Sequence, residues 1–257
     1  MSTGVLNERP EPAATADRPS HMANRLLASL SKTDCDMIEP QLKVISLRRG
    51  QVLFEPGDDV HTTYFPCHHA MVSLRLATRD GAEVEAATIG REGAVGGVVS
   101  SGHKPAFGRA VVQIPGAAFK IATERLEDLK CQSPRFGDLF ARYSDALLAQ
   151  VMQSAACNAL HSIEQRCCRW LLAAHDRAGA HSFHMTQQDL AEMLGVQRTT
   201  VTAVSTRLQA QGLISYRRGV VEVLDRAGVE RVACECHAVV ESHFVRLLPE
   251  ASLPHPR

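Results

Sequence analysis

The stretch from residue 186 to 224, TQQDLAEMLGVQRTTVTAVSTRLQAQGLISYRRGVVEVL, constrains what this chain can fold into more than any other. Thr186 has the chemistry of a helix N-cap, and Asp189 three positions on makes a capping-box arrangement with Asp in place of Glu or Gln. Leu190, Ala191 and Leu194 then recur at helical spacing until Gly195, which can supply the positive φ of a tight turn. A second helical pattern follows, with Val201, Val204 and Leu208 turned inward and Gly212 as its stop. Two short helices joined at a glycine make a helix-turn-helix. Residues 213–216 and 220–224 read as two short strands joined at Arg217-Arg218-Gly219, which completes a winged helix-turn-helix.

The outward face of the second helix carries Gln197, Arg198, Thr199, Thr202 and Thr206, with Thr200 beside them and no acidic residue among them. Arginine can grip guanine with two hydrogen bonds, glutamine can bond adenine, and threonine offers a hydroxyl and a methyl. At the start of the first helix, Thr186, Gln187 and Gln188 present hydroxyl, amide and backbone N–H groups to a phosphate. Arg217 and Arg218 at the wing tip suit backbone or minor-groove contacts. The expected partner is double-stranded DNA.

Formal net charge is zero, but its distribution is uneven. Residues 165–231 hold nine arginines and six acids, a net +3, which leaves −3 for the remainder. A modestly basic module on an acidic carrier fits a sequence-specific reader better than a nonspecific coat. Residues 1–20 are rich in Pro, Ala, Glu and Arg without an apolar segment, so a disordered tail over 1–24 is expected rather than a signal peptide. No apolar run approaches a membrane span, and eight cysteines without a spaced extracellular framework read as reduced thiols. The expected location is the cytoplasm, with no membrane partner.

Residues 25–136 read as short strands broken by Gly and Pro turns, after a lead-in helix at 26–30. Candidate strands are 44–47, 51–54, 63–66, 71–77, 84–88, 109–114 and 117–121. Asp80-Gly81 forms a hairpin loop and Pro115-Gly116 a turn, as in a small antiparallel barrel or jelly roll. Residues 138–163 then lack Gly and Pro and carry an apolar stripe, the core of a long helical segment spanning 137–164. Phe140, Tyr143, Leu147 and Val151, with Ser154 and Asn158 alongside, can pack on a twin helix in a second subunit, giving a homodimer. The same stripe can instead pack on its own barrel. Residues 226–248 read as one further helix whose apolar face covers the winged helix, within an extension over 232–257.

This order of parts resembles the Crp/Fnr family of bacterial transcription regulators. The resemblance is carried by GQVLFEPGD, IGREGAVGG, EQRCCRWLL and the helix-turn-helix itself, and it is greatest to a branch with YFP…VSL…EVEAATIGREG and a late CEC. It implies an α+β fold of a cyclic-nucleotide-binding-like β-roll (25–136), a dimerisation helix (137–164) and a winged helix-turn-helix (165–231). It also implies RNA polymerase as a partner. Cyclic-nucleotide-binding members have a Gly-Glu-Leu step that engages ribose and an Arg-Ser pair that holds the phosphate. Here those steps read Gly96-Gly97-Val98 and Gly108-Arg109-Ala110. The ribose carboxylate is absent and the arginine is displaced by one, so an effector pocket at Gly96, Gly97, Val98, Arg109 and Ala110 would serve another small anion or none. At the recognition helix Arg198 matches the family's first arginine, whereas Thr199 and Ala203 replace its Glu and second Arg.

No cofactor or metal is expected. The family's iron–sulfur members use an N-terminal cysteine group, and nothing before Cys35 supplies one. Cys67-His68-His69, Cys167-Cys168 and Cys234-Glu235-Cys236-His237 leave a metal or thiol-switch role open, although chelation at the last would need an unwound or shared site. The alternative function is a cupin-like, metal-dependent β-roll enzyme. His68 and His69 are adjacent rather than alternating, which disfavours it.

Overall fold

The computed structural model of the protein describes residues 20–79, 81–97, 105–179 and 181–249. Residues 20–24, expected to belong to a disordered tail, have defined structure. A 3₁₀ turn at His21–Ala23 leads to Asn24, which is fully buried. Its Oδ1 accepts from the Leu27 N–H at 3.0 Å and caps helix α1 (Arg25–Ala28), while its Nδ2 donates to Pro66 O at 2.8 Å and Gly93 O at 2.9 Å. A buried amide with each of these bonds made fixes the chain to the barrel. Helix α2 (Lys32–Ile38), capped by Ser31, follows beyond the lead-in helix expected at 26–30.

The strands are β1 (Lys43–Leu47), β2 (Val52–Phe54), β3 (Thr62–Pro66), β4 (Met71–Ala77), β5 (Glu83–Ile89), β6 (Arg109–Ile114) and β7 (Gly116–Ala122). They form two antiparallel sheets in the orders β1-β7-β3 and β2-β6-β4-β5. Leu47, Val72, Ile89, Val95, Ala110 and Val112 fill the space between them. The strands lie where alternation and turn chemistry put them. The Pro115-Gly116 step is not a hairpin, because β6 and β7 belong to different sheets. Gly116 permits that switch: a Cβ there would lie 2.8 Å from the Ala70 backbone nitrogen. Asp80 of the expected hairpin loop lies outside the described residues, while β4 and β5 pair as expected.

Helix α3 (Thr123–Gln132) closes the barrel, and α4 (Pro134–Leu160) runs from it. The long helix starts before residue 138, because Ser133 caps it and Pro134 occupies the first turn, where a missing N–H costs nothing. It also stops short of Ile163. His161 is extended, and Ser162 opens α5 (Ile163–Ala178) with a full capping box to Gln165.

The apolar stripe of α4 packs inward. Phe140 stacks on Phe136 at 5.0 Å and meets Phe65 edge-on at 6.2 Å, and fully buried Tyr143 donates from its Oη to Ala94 O at 3.0 Å. Ser154 is buried and Leu147 and Val151 are half-buried, so those expected dimer positions face the chain's own barrel and C-terminal helix. Asn158 alone of the set is exposed. The face left open carries Leu148 and Met152, 57% and 64% exposed, with exposed Ala155 and Ala159 beyond.

The remaining elements are β8 (Ser182–His184), α6 (Gln187–Leu194), α7 (Arg198–Ala210), β9 (Ile214–Arg217), β10 (Val220–Val223), α8 (Arg226–Val232) and α9 (Cys236–Leu247). The segment read as one helix over 226–248 is two. Extended Ala233 ends α8, and α9 returns along α4 rather than covering the winged helix. Phe244, Leu247 and Leu248 there join the barrel core. Where α5, α8 and α9 meet, Asp176 accepts from Arg226 and from His237 Nε2 at 2.8 Å. Burial opposes ionisation of this carboxyl, but His175, His237 and Arg226 outweigh it and hold it well below the usual carboxylate range. A depressed carboxylate contributes stability above the unfolded-state value near 4 that is lost as pH falls toward the folded one. Acid unfolding of the wild type is therefore expected to steepen below about pH 4, and Asp176→Asn to flatten that limb when unfolding midpoints are followed against pH.

Candidate nucleic-acid interface

Thr186 and Asp189 form the full capping box at the start of α6. The Asp189 N–H donates to Thr186 Oγ1 at 3.1 Å, and the Thr186 N–H donates to Asp189 Oδ2 at 2.8 Å. Gly195 ends the helix in the left-handed region at φ 64°, ψ 40°, and α7 begins at Arg198. Val201, Val204 and Leu208 bury one side of α7 against Leu190, Ala191 and Leu194 of α6, together with Ser205, which alternation alone did not mark. That packing leaves Gln197, Arg198, Thr199, Thr202, Ala203 and Thr206 exposed on one surface. Thr200 is half-buried at its edge.

Three expected DNA contacts, Thr202, Gln187 and Gln188, already make side-chain bonds within the protein. Thr202 Oγ1 donates to Gln187 Oε1 at 2.7 Å, tying the helices together, and Gln188 Nε2 donates to Glu192 Oε1 at 3.0 Å. Arg198 makes no ion pair among the described residues. Its neighbour one face round, Arg207, is held by Glu164 at 3.1 Å.

The wing is a three-stranded sheet in the order β8-β10-β9. The sequence did not show β8, a three-residue strand. Arg217 pairs with Val220, which leaves Arg218 and Gly219 as a two-residue loop with φ 50° and 77°. Both positive values match a type I′ hairpin turn and put two exposed guanidiniums at the tip. Tyr216 Oη donates to Met185 O at 2.7 Å, fixing the wing to the start of α6.

The barrel reaches this module directly. Arg49, in the β1–β2 turn, forms a salt bridge with Asp189. Burial opposes ionisation of Asp189, yet hydrogen bonds from Thr186 and the nearby Arg49 keep its carboxyl below the ordinary value. Arg75 of β4 spans Glu83 at 3.2 Å and Glu192 at 3.4 Å, and Trp170 Nε1 of α5 donates to Glu85 Oε1 of β5 at 3.1 Å. Met71 and Ile114 of the barrel belong to the core of the DNA module. Consecutive arginines in the β1–β2 turn were the only sequence signal of this docking.

At the expected effector pocket, the described residues contact other parts of the chain. Arg109 is held bidentately by Glu55 at 2.7 and 2.8 Å and reaches Glu83 at 3.2 Å, which commits its charge to carboxylates rather than to a bound anion. Gly96 and Gly97 have positive φ, but they serve close packing. A Cβ at Gly97 would lie 2.2 Å from Thr123 Cγ2, and one at Gly96 2.8 Å from Thr62 O. Ala110 is buried in the barrel core, and Val98 lies outside the described residues. The earlier glycines of the same motif hold the two halves of the chain together. A Cβ at Gly93 would fall 2.2 Å from Tyr143 Oη, and one at Gly90 2.8 Å from Arg177 Cβ. Arg177 in turn pairs with Glu92 at 2.7 Å. At the third expected cluster, burial pushes the Cys67 thiol up to about 11, and His68 Nδ1 faces Arg91 at 3.3 Å. Among the described residues, Cys67, His68 and His69 join no group of three potential metal ligands.

Residues 165–232 match the family model of the Crp-like helix-turn-helix domain. Among solved structures, FixK2 from Bradyrhizobium japonicum is similar with 16% identity and a TM-score of 0.65, over 75% of this chain and 98% of that one. The c-di-GMP-responsive global regulator CLP of Xanthomonas campestris is similar with 20% identity and a TM-score of 0.60, over 75% and 99%. A Crp/Fnr-family transcriptional regulator from Thermus thermophilus follows with 21% identity and a TM-score of 0.59, over 74% and 98%. No curated protein sequence matches the chain. At these identities the likenesses establish the fold, and the match over 165–232 establishes the DNA-binding module. Residues 165–232 thus form a Crp-like DNA-binding helix-turn-helix domain, carried on a chain with the fold of these solved transcription regulators.

Proposed function

We propose that the chain acts as a homodimer on pseudo-palindromic promoter sites, with one α7 in the major groove of each half-site. The observation that carries this reading is the exposed, acid-free face of α7, where Arg198 at the first turn makes no ion pair among the described residues. Arg198 is the guanine contact, with Gln197, Thr199, Thr202 and Thr206 lining the same groove. Thr186, Gln187 and Gln188 face a phosphate at the start of α6, and Arg217 and Arg218 reach the backbone beside the wing.

The dimer face is the open side of α4. Ala141, Asp145, Leu148, Met152, Ala155 and Ala159 are exposed and follow one another at alternating steps of four and three, the spacing of a coiled-coil seam. Two copies paired on that seam place two recognition helices on one side of a duplex. RNA polymerase is the further partner proposed, and the cytoplasm the location. Among the described residues no helix is long and apolar enough to cross a membrane.

Control of DNA binding is proposed to run through the barrel contacts at Asp189, Glu192 and Trp170. A cyclic nucleotide is not the proposed signal, because Arg109 is spent on Glu55 and Glu83.

Selection of bound duplexes from a random pool, followed by gel shift, tests this reading. Arg198→Ala is expected to weaken binding to the selected site by about 1–3 kcal/mol, roughly 5- to 150-fold, and to relax preference at one base of each half-site. Unchanged affinity and unchanged preference at every position would remove Arg198 as the base contact.

A further inference from the structure

At the junction where α4 ends and α5 departs, four side chains converge. Cys157 lies in the last turn of α4, and His161 is the extended residue that caps it, its backbone N–H donating to Cys157 O at 3.1 Å. Cys234 and Cys236 come from the turn between α8 and α9, outside regular helix or at its first residue. Their ligand atoms all lie within 4.8 Å of one another. The three sulfurs form a buried group apart from the main hydrophobic cores.

We infer that Cys157, His161, Cys234 and Cys236 form a tetrahedral site for a single divalent metal ion of the zinc class. Distances between the ligands decide for a single ion. A metal–sulfur bond of about 2.3 Å sets tetrahedral edges of roughly 3.8 Å between sulfurs. Cys157 and Cys234 Sγ are 3.5 Å apart, and Cys236 Sγ is 3.5 Å from His161 Nδ1. That separation is far longer than the sulfur–sulfur bond of a disulfide, about 2.05 Å. Thiolate and imidazole together select zinc-like ions over magnesium or calcium.

The surroundings support the same assignment. Glu235 Oε1 lies 3.3 Å from His161 Nε2. A carboxylate there favours the tautomer that carries its proton on Nε2, which leaves Nδ1 as the free ligand, the usual support of a metal-binding histidine. Gln153 Nε2 sits 3.0 Å from Cys236 Sγ, a donor aimed at a thiolate. The guanidiniums of Arg166 and Arg169 lie within electrostatic reach of Cys157, and each has a buried Nε without a hydrogen-bond partner. Three thiolates, a neutral imidazole and a dication carry a net charge of −1, which these arginines complement. Loading releases three thiol protons to solvent and changes no oxidation state. By contrast, Asp176, His237 and Glu241 also cluster, but Arg226 already neutralises Asp176.

Such an ion would clamp the end of α4 to the α8–α9 turn across the break at His161-Ser162. It would thereby set the angle at which the DNA module leaves the long helix. Arg166 carries the effect further, since its Nη2 donates at 2.6 Å to Leu194 O, the last carbonyl of α6.

Full-length protein purified without chelator is expected to hold one zinc per chain by elemental mass spectrometry. Cobalt(II) added to the stripped chain is expected to give tetrahedral ligand-field bands and a thiolate charge-transfer band. Cys157→Ser and Cys234→Ser should lose both signals, while Cys131→Ser, in exposed α3, should keep them. Should a variant fail to fold, alkylation of the wild type serves instead: Cys157, Cys234 and Cys236 should be protected by zinc and react once a chelator is added. Protein without bound metal that also fails to take up cobalt overturns the inference, as does a Cys157–Cys234 disulfide whose reduction restores no cobalt spectrum. None of these readouts depends on DNA binding.

Discussion

Replacing Trp170 with alanine is expected to cost about 3–5 kcal/mol of folding stability, the largest single loss argued for this chain. Trp170 is 2% exposed, meets Phe183 at 6.3 Å between ring centroids, and donates its indole N–H to Glu85 across the junction between barrel and DNA module. Its removal opens a cavity and withdraws one donor from a partly buried carboxylate, and the two penalties add. Denaturant unfolding is expected to show a lower midpoint together with a broadened or split transition, as the two halves lose their shared core. Trp170→Phe keeps most of the ring volume and should cost only the hydrogen bond, about 1 kcal/mol. A loss below 1 kcal/mol for the alanine variant, with one sharp transition, would show that this contact does not couple the halves.

The second large effect concerns assembly. Leu148→Glu combined with Met152→Glu places like charges at successive positions of the exposed α4 seam, where neither side chain contributes to the core. The doubly substituted chain is expected to keep its circular dichroism and melting temperature but to sediment as a monomer. Without a second half-site contact, affinity for the selected duplex is expected to fall by roughly 10²–10⁴-fold. A stable dimer in sedimentation would place the interface elsewhere. The same pair of charges at Phe140 and Tyr143 would unfold the barrel, because those rings are already buried within one chain.

That contrast marks where the sequence was legible. The recognition helix and wing were readable because their signals are local: a capping box, a glycine at each helix end, and alternation over four residues. The strands of the barrel were readable for the same reason. An apolar stripe on a long helix is different, since periodicity states that a face is buried but not against what. Tyr143 finds its partner at Ala94, and Gln150 donates to Thr88 O at 3.0 Å, contacts that only the folded barrel creates. The glycines of IGREGAVGG carry information that local pattern did not show: the missing Cβ atoms of Gly93, Gly90 and Gly97 make room for Tyr143, Arg177 and Thr123. The sequence left a metal or thiol role open at Cys234 and Cys236 but did not point to Cys157, which is 77 residues from Cys234 and meets it only when α9 folds back along α4. Even the CEC motif, taken alone, gave two sulfurs without a third.

The exposed face of α7 has a consequence for how such a chain can diverge. Thr199, Ala203 and Thr206 touch neither the hydrophobic core nor the barrel contacts, so exchanging them alters stability by only a few tenths of a kcal/mol. Gly90, Gly93 and Tyr143 have no such freedom, because each is shaped to the other half of the molecule. Descendants of this chain could therefore change the surface they offer to DNA while inheriting the joint between their two halves unaltered.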